Sequence, residues 1–419
     1  MSRCGFVREL TGWSAGAADP DEFPYDQVVD AFHRVGKHFV DKELLARLDE
    51  ARARVTGHDE PARLLRDFLD VALDKWDGRY DYRSYLALRL LRLPDGTDDP
   101  PPDTGAAARR ARDRLVVRLV ADAVSFELSA AAKVTGLLPE QRPGRAVVAK
   151  RCRLGVRAAL PALGRLGLRT TIDDDTPATA ATTLSAVVAG LDTTGDPSLR
   201  LSMLPVHVTH DEYLFIRVLQ AYECVFAGVA DELRGVVAAL RTGPPAPAVD
   251  RLGYARDLLG TAGTLFSLLA TMQPAAFQTF RQYTEGASAI QSRSYKLVES
   301  LCRTPAPDRL DSVAYRSVPE IRARVVDGQP TIDEAYRRAV HEGRLDEPSR
   351  RLLEVCMGRF AEALAQWRRT HYGVAVRMLG RRPGTGYTEG TPYLAAVRDL
   401  PVFDAVGPYP SRPTGGRPA

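Results

Sequence analysis

His371 stands on a run of apolar residues spaced for one face of a helix. Leu353, Met357, Phe360, Leu364, Trp367, Val374 and Met378 fall at steps of three and four, the period of an α-helix with one buried stripe. His371 fills the beat between Trp367 and Val374. An imidazole on such a line has two readings. It is a core histidine bonded to a backbone carbonyl, or it is an axial ligand to a metal or haem, since neutral imidazole is the usual protein donor to iron. In a second stretch Arg281 lies one helical turn after Phe277, so both can address one pocket. A guanidinium at an aromatic-lined pocket suits two-pronged capture of a carboxylate; a helix-end ion pair is the alternative. The small residues Gly286, Ala287, Ser288 and Ala289 let backbone approach a flat ligand, and serve ordinary helix packing equally well. His207 and His210 are close in sequence but have no third ligand in reach, which argues against a metal site there.

The elements that must position these residues read as helices throughout. The His371 stripe predicts one long helix from Glu347 to Gly380, followed by a glycine-threonine-glycine turn at Gly384, Thr385 and Gly386. Tyr25 to Val55 reads as two helices meeting near Gly36; further helical runs start near Glu60 and cover Tyr82 to Leu91, Ala106 to Leu137, and Arg145 to Leu166 with an interruption at Pro161. Residues 94–105 are an acidic, proline-rich loop. Thr170 to Leu199 is the least periodic part of the body, and the domain boundary is placed there. Helical texture returns at His210 to Leu240, Leu252 to Met272, Pro274 to Cys302 with a kink near Gly286, Val318 to Val326, and Ile332 to Glu342. No alternating strand, internal repeat or glycine-rich phosphate loop is present. The expected class is all-α: a helical bundle over 201–402, an appended N-terminal helical domain over 1–200, and a disordered proline- and glycine-rich tail over 403–419.

Composition narrows the class further. Hydrophobic residues at 45% and charged residues at 26% are those of an ordinary globular chain. With 57 basic against 53 acidic residues the formal charge is only +4, which gives no support to a nucleic-acid or anionic-membrane partner. No apolar run approaches a bilayer span and no signal-peptide core opens the chain. Five scattered cysteines without paired spacing suggest reduced thiols in a cytoplasmic protein.

Three stretches taken in order carry a resemblance. The first runs from His207 through His210, Asp211, Glu212 and Phe215 to Gln220 and Glu223. The second runs from Pro274 through Phe277, Arg281, Ser288, Gln291 and Ser292 to Tyr295 and Glu299. The third comprises Trp367, His371, Arg377, Gly380, Thr385 and Tyr393. Together they resemble the tryptophan 2,3-dioxygenase and indoleamine 2,3-dioxygenase superfamily of haem proteins, over roughly the C-terminal half from His210 to Leu394. The resemblance implies that His371 is the proximal ligand of a haem b iron, and the lack of a CxxCH run or a suitably spaced cysteine predicts that the haem is noncovalent. It makes Arg281 the clamp for the substrate carboxylate and Thr385 a contact to the amino-acid head group. Phe215 and Phe277 match aromatic positions of the distal pocket, and Ser288 a small polar residue near the haem face.

The departures are as informative. Tryptophan dioxygenases carry a distal histidine immediately before the position of Gln220, where this chain has Leu219; indoleamine dioxygenase has serine there. Ala289-Ile290 replaces a glycine-phenylalanine pair, and Tyr387 stands where a second glycine is usual. The resemblance and its departures imply a haem-dependent oxygenase of secondary metabolism that acts with O2 on tryptophan or a modified tryptophan. Phe215, Leu219 and Ser288 would then stand on the oxygen side. A monooxygenase hydroxylating tyrosine or a derivative, and a non-catalytic haem or indole binder, are the alternatives. The assembly expected is a monomer or homodimer rather than the family's tetramer.

Overall fold

Side-chain caps fix where several helices of this chain begin. In the computed structural model, which describes residues 3–93, 105–168, 176–191, 196–380 and 390–407, the long helix spans Glu347–Leu379. Asp346 caps it by accepting the Ser349 N–H at 2.9 Å, a proline follows in the first turn, and Gly380 at φ +60° ends it. Thr331 and Glu334 form a reciprocal capping box at the start of Ile332–His341. Asp59 accepts the Ala62 N–H at 3.1 Å to start Glu60–Ala72. Among the described residues every regular element is helical, and the sole β-bridge links Glu140 and Thr209. The class is all-α.

Two compact units divide the chain, and each is assembled from separate segments. The first comprises Met1–Leu93, Asp113–Tyr222 and Ser267–Ser292. Its core includes Trp13, Phe23, Phe32, Leu48, Phe68 and Leu69, on Tyr25–Val35, Lys42–Arg54 and Glu60–Ala72 and their flanks. Gly36, at φ +82°, separates the first two of these helices, and the following amides turn outward. Lys37 N–H donates to Pro205 O at 2.8 Å and His38 N–H to Val206 O at 3.2 Å. The N-terminal segment thus braces the chain just before His210–Thr242. The second unit comprises Pro94–Arg112, Glu223–Phe266 and Arg293–Ala419. There Met357, Phe360 and Leu364 are fully buried along the long helix. Arg109 grips Glu232 with two bonds of 2.9 Å, and Arg112 reaches Asp231 at 2.9 Å.

Several sequence expectations shift. Pro161 does not interrupt its helix, which runs through it as Arg145–Arg165; what it costs is its own N–H bond to the Arg157 carbonyl one turn upstream. The run at Tyr82 is helical only over Tyr82–Tyr85 and continues as turns. The aperiodic stretch contains a helix, Pro177–Leu191, which packs on Arg145–Arg165 and buries Ala180, Ala181 and Leu184. The tail expected to be disordered from 403 begins with anchored residues. Phe403 is buried near Phe360, and the N–H groups of Asp404 and Ala405 donate to the Asp333 carboxylate. Finally, His210–Thr242 is long and apolar enough to cross a membrane by length and composition, and 89% of its most apolar window is buried within the protein.

Candidate active site

Phe215, Phe277 and Phe280 form an aromatic wall in the first unit. Phe215 comes from His210–Thr242 and the other two from Pro274–Arg281. Ring centroids lie 5.7 Å apart for Phe215 and Phe277, 5.3 Å for Phe215 and Phe280, and 5.5 Å for Phe277 and Phe280. These are tilted and edge-on arrangements that aromatic quadrupoles favour. Phe280 is fully buried while Phe215 and Phe277 are half-buried, so the wall has a fixed root and two partly open faces. Leu219, also half-buried, follows Phe215 by one helical turn and shares its face. Tyr85 stands behind Phe215 at 6.4 Å, and its hydroxyl donates to Glu212 at 3.2 Å. Glu212 also accepts the Val206 N–H at 2.7 Å and the His207 N–H at 3.0 Å. Burial outweighs these donors and pushes its carboxyl up to about 8.

The polar part of this unit follows directly along the chain. Arg281 is half-buried and closes the Pro274–Arg281 helix, whose last carbonyl accepts the Thr284 hydroxyl at 2.8 Å. The chain then reverses at Gly286, with φ +80°, a conformation that favours glycine. Ser288 is buried, and its N–H donates to Gln291 Oε1 at 3.1 Å. The same oxygen accepts the Tyr82 N–H at 3.1 Å, so one amide side chain ties the Ser288 turn to the N-terminal segment.

His371 belongs to the second unit. Its imidazole stacks on Phe266 at 5.8 Å and 17° and lies 5.1 Å from Trp367, which itself meets Phe226 edge-on at 4.9 Å. Arg368, next along the helix, donates to Tyr295 Oη at 3.0 Å and to Leu400 O at 2.7 Å, and so fixes the helix's rotation there. Part of the His371 surface stays accessible, yet the enclosure of its ring by aromatic neighbours pushes its pKa down to about 4. The ring is therefore neutral near pH 7, with a lone pair to offer. Among the described residues it makes no hydrogen bond. No group of three or more His, Cys, Asp or Glu side chains among the described residues could hold an ion. One neutral nitrogen suits an axial position on iron already chelated by a macrocycle.

Of the residues singled out in the sequence, Phe215, Leu219, Phe277, Arg281 and Ser288 lie in the first unit and His371 in the second. Thr385 lies outside the described residues. His210 is a buried partner of Glu127, at 3.3 Å, and His207 stacks on Tyr283. Sequence reasoning missed Phe280, Tyr85 and Phe266. Phe280 was findable from its spacing after Phe277; nothing local marks the other two.

Comparison with known proteins finds similarity to tryptophan 2,3-dioxygenases. A family model described as tryptophan 2,3-dioxygenase matches residues 200–315. The tryptophan 2,3-dioxygenase of Burkholderia lata is 28% identical over 237 residues, covering 48% of this chain and 75% of the relative. That of Anaeromyxobacter dehalogenans is 29% identical over 227 residues, covering 46% and 84%. That of Pseudomonas aeruginosa is 26% identical over 235 residues, covering 48% and 82%.

Proposed function

The chain belongs to the tryptophan 2,3-dioxygenase superfamily, and from that premise we propose that it is a haem-dependent oxygenase that inserts oxygen from O2 into an aromatic amino acid, tryptophan or a modified tryptophan, in secondary metabolism. The observation that carries the cofactor is His371, a neutral imidazole set against Phe266 and Trp367 with no hydrogen-bond partner among the described residues. It is the residue that would hold the iron. Haem, when bound, supplies an iron that activates dioxygen.

The remaining residues bind and orient. Phe215, Phe277 and Leu219 offer a flat apolar slot for an aromatic ring. Arg281 follows Phe277 by one turn and would take the carboxylate in two-pronged fashion, with Thr385 as the head-group contact. None of Phe215, Leu219 and Phe277 can accept a proton, and Leu219 offers no acceptor to an indole N–H. The slot works by orientation rather than by proton transfer. A second reading is hydroxylation of tyrosine or a derivative, since without an acceptor at Leu219 the slot gives an indole no preference over a phenol.

The test is an optical spectrum of the purified protein followed by a panel of aromatic amino acids scored for shifts of the haem band and for turnover under reductant and air. Isotopic oxygen in the product counts the atoms inserted and separates the two oxygenase readings. A shift without turnover would mark a binder. Replacing His371 by Ala should abolish haem retention or convert the Soret band to that of a weaker ligand. Unchanged haem content and an unchanged spectrum in that variant would sink the assignment.

A further inference from the structure

Arg151 has no exposed surface, and all three nitrogens of its guanidinium bond to partners within the first unit. Nη1 donates to Glu127 Oε1 at 2.7 Å, Nη2 to Asp211 Oδ1 at 2.7 Å and to Thr271 O at 3.2 Å, and Nε to Thr271 Oγ1 at 3.1 Å. Asp211 Oδ2 in turn accepts the N–H of Gln273 at 2.7 Å, and Gln273 is the N-cap residue of Pro274–Arg281. The other side of the network is closed by Glu127, whose Oε2 lies 3.3 Å from His210 Nε2, with the His210 ring stacked on Phe126 at 4.7 Å.

The register gives the network a second meaning. Asp211 lies one helical turn before Phe215, and Gln273 lies one turn before Phe277. The two ends of the Asp211 carboxylate bridge are thus the roots of the two wall residues whose rings stand 5.7 Å apart. We propose that Arg151 is a positioning residue for the substrate wall, acting through Asp211 on the first amide of the segment that carries Phe277 and Arg281. Arg151 and Glu127 lie outside the family-matched stretch 200–315, so the N-terminal half sets the geometry of a wall it does not itself line. Lysine cannot replace the arginine, because a single ammonium lacks the planar fork needed to hold Glu127, Asp211 and Thr271 together.

The kinetic consequence rests on the functional reading above; the structural one does not, and the experiment keeps them apart. Arg151→Lys and, as the milder change, Asp211→Asn are compared with the unchanged haem-loaded protein by amide hydrogen exchange and by titration with the amino acid that shifts the haem band. Exchange over residues 273–281 should quicken at least tenfold in both variants, with the remainder of the unit within about twofold. The amino acid's KM should rise about tenfold with kcat within about twofold. Should Arg151→Lys fail to fold, the Asp211→Asn result decides. Unchanged exchange over 273–281, or a rise spread evenly over the unit, would overturn the proposal and leave Arg151 a general stabiliser. If no aromatic amino acid shifts the haem band of the unchanged protein, the functional reading fails, and local exchange alone decides the positioning role.

Discussion

Arg281 is the residue whose chemistry separates an amino-acid site from a generic aromatic slot. Arg281 is the last residue of the helix that carries Phe277 and Phe280, where its planar two-pronged guanidinium would meet a carboxylate. Arg281→Lys keeps the charge and loses the fork. A charge-assisted hydrogen bond is worth roughly 1.5–3 kcal/mol, so affinity for the amino acid should fall about tenfold or more while haem content stays the same. A decarboxylated analogue should bind the unchanged protein poorly and be indifferent to the substitution; equal losses for both ligands would make Arg281 a structural residue. Glu299 illustrates a charge whose job is fold rather than ligand. Burial would raise its pKa, but Lys296 at 3.5 Å and the two bonds from Arg309, at 2.7 and 3.0 Å, outweigh that and hold it at about 2. A depressed carboxylate contributes stability above its unfolded pKa of about 4.5 and loses it as pH falls toward 2. A shift of this size is worth roughly 3 kcal/mol. Glu299→Gln should flatten the acid limb of stability between those pH values, read as urea midpoints against pH. Equal slopes in both proteins would refute the linkage.

At the scale of elements, the junction at Gly36 decides how the N-terminal helices reach the base of His210–Thr242. A Cβ there would meet Val206 O at 2.6 Å and His207 Cα at 2.7 Å, both backbone atoms that cannot rotate away, and the φ of +82° adds strain of its own. Strain at such a φ costs about 1–3 kcal/mol and overpacking a similar amount, against a gain of at most about 1 kcal/mol from a stiffer unfolded chain. Gly36→Ala should therefore destabilise by at least about 1 kcal/mol in denaturant unfolding; a neutral result would mean the contact yields easily. Gly36 was legible in the sequence because it broke a clear helical period, as Glu347–Leu379 was legible from its unbroken one. Pro177–Leu191 was not. Its buried face is only Ala180, Ala181 and Leu184, with no stripe of large side chains to announce it. The same limit applies to the site. Phe215, Phe277 and Arg281 sit in local patterns, whereas Tyr85 and Arg151 join them only through long-range bonds that no spacing records.

At the scale of the whole molecule, the family-matched stretch 200–315 does not coincide with a unit of the fold. The first unit interleaves Met1–Leu93 and Asp113–Tyr222 with Ser267–Ser292, and the bonds between them are buried. Gln220 Nε2 donates to Leu86 O at 2.8 Å, Tyr85 to Glu212 at 3.2 Å, and Arg151 to Asp211 at 2.7 Å. Cutting at the aperiodic stretch near residue 200 would leave Asp211, Glu212 and Gln220 as buried polar groups without these partners, each costing about 1–3 kcal/mol, or more where charged. Together those losses approach the 5–15 kcal/mol by which a whole domain is stable. A fragment of residues 201–402 should therefore fail to fold cooperatively, seen as a non-sigmoidal denaturant transition and poor amide dispersion in NMR. Adding residues 1–200 as a separate polypeptide should restore the transition, because the missing partners come from those segments. A fragment that unfolds cooperatively on its own and binds haem would instead establish the boundary near 200 as a true domain junction.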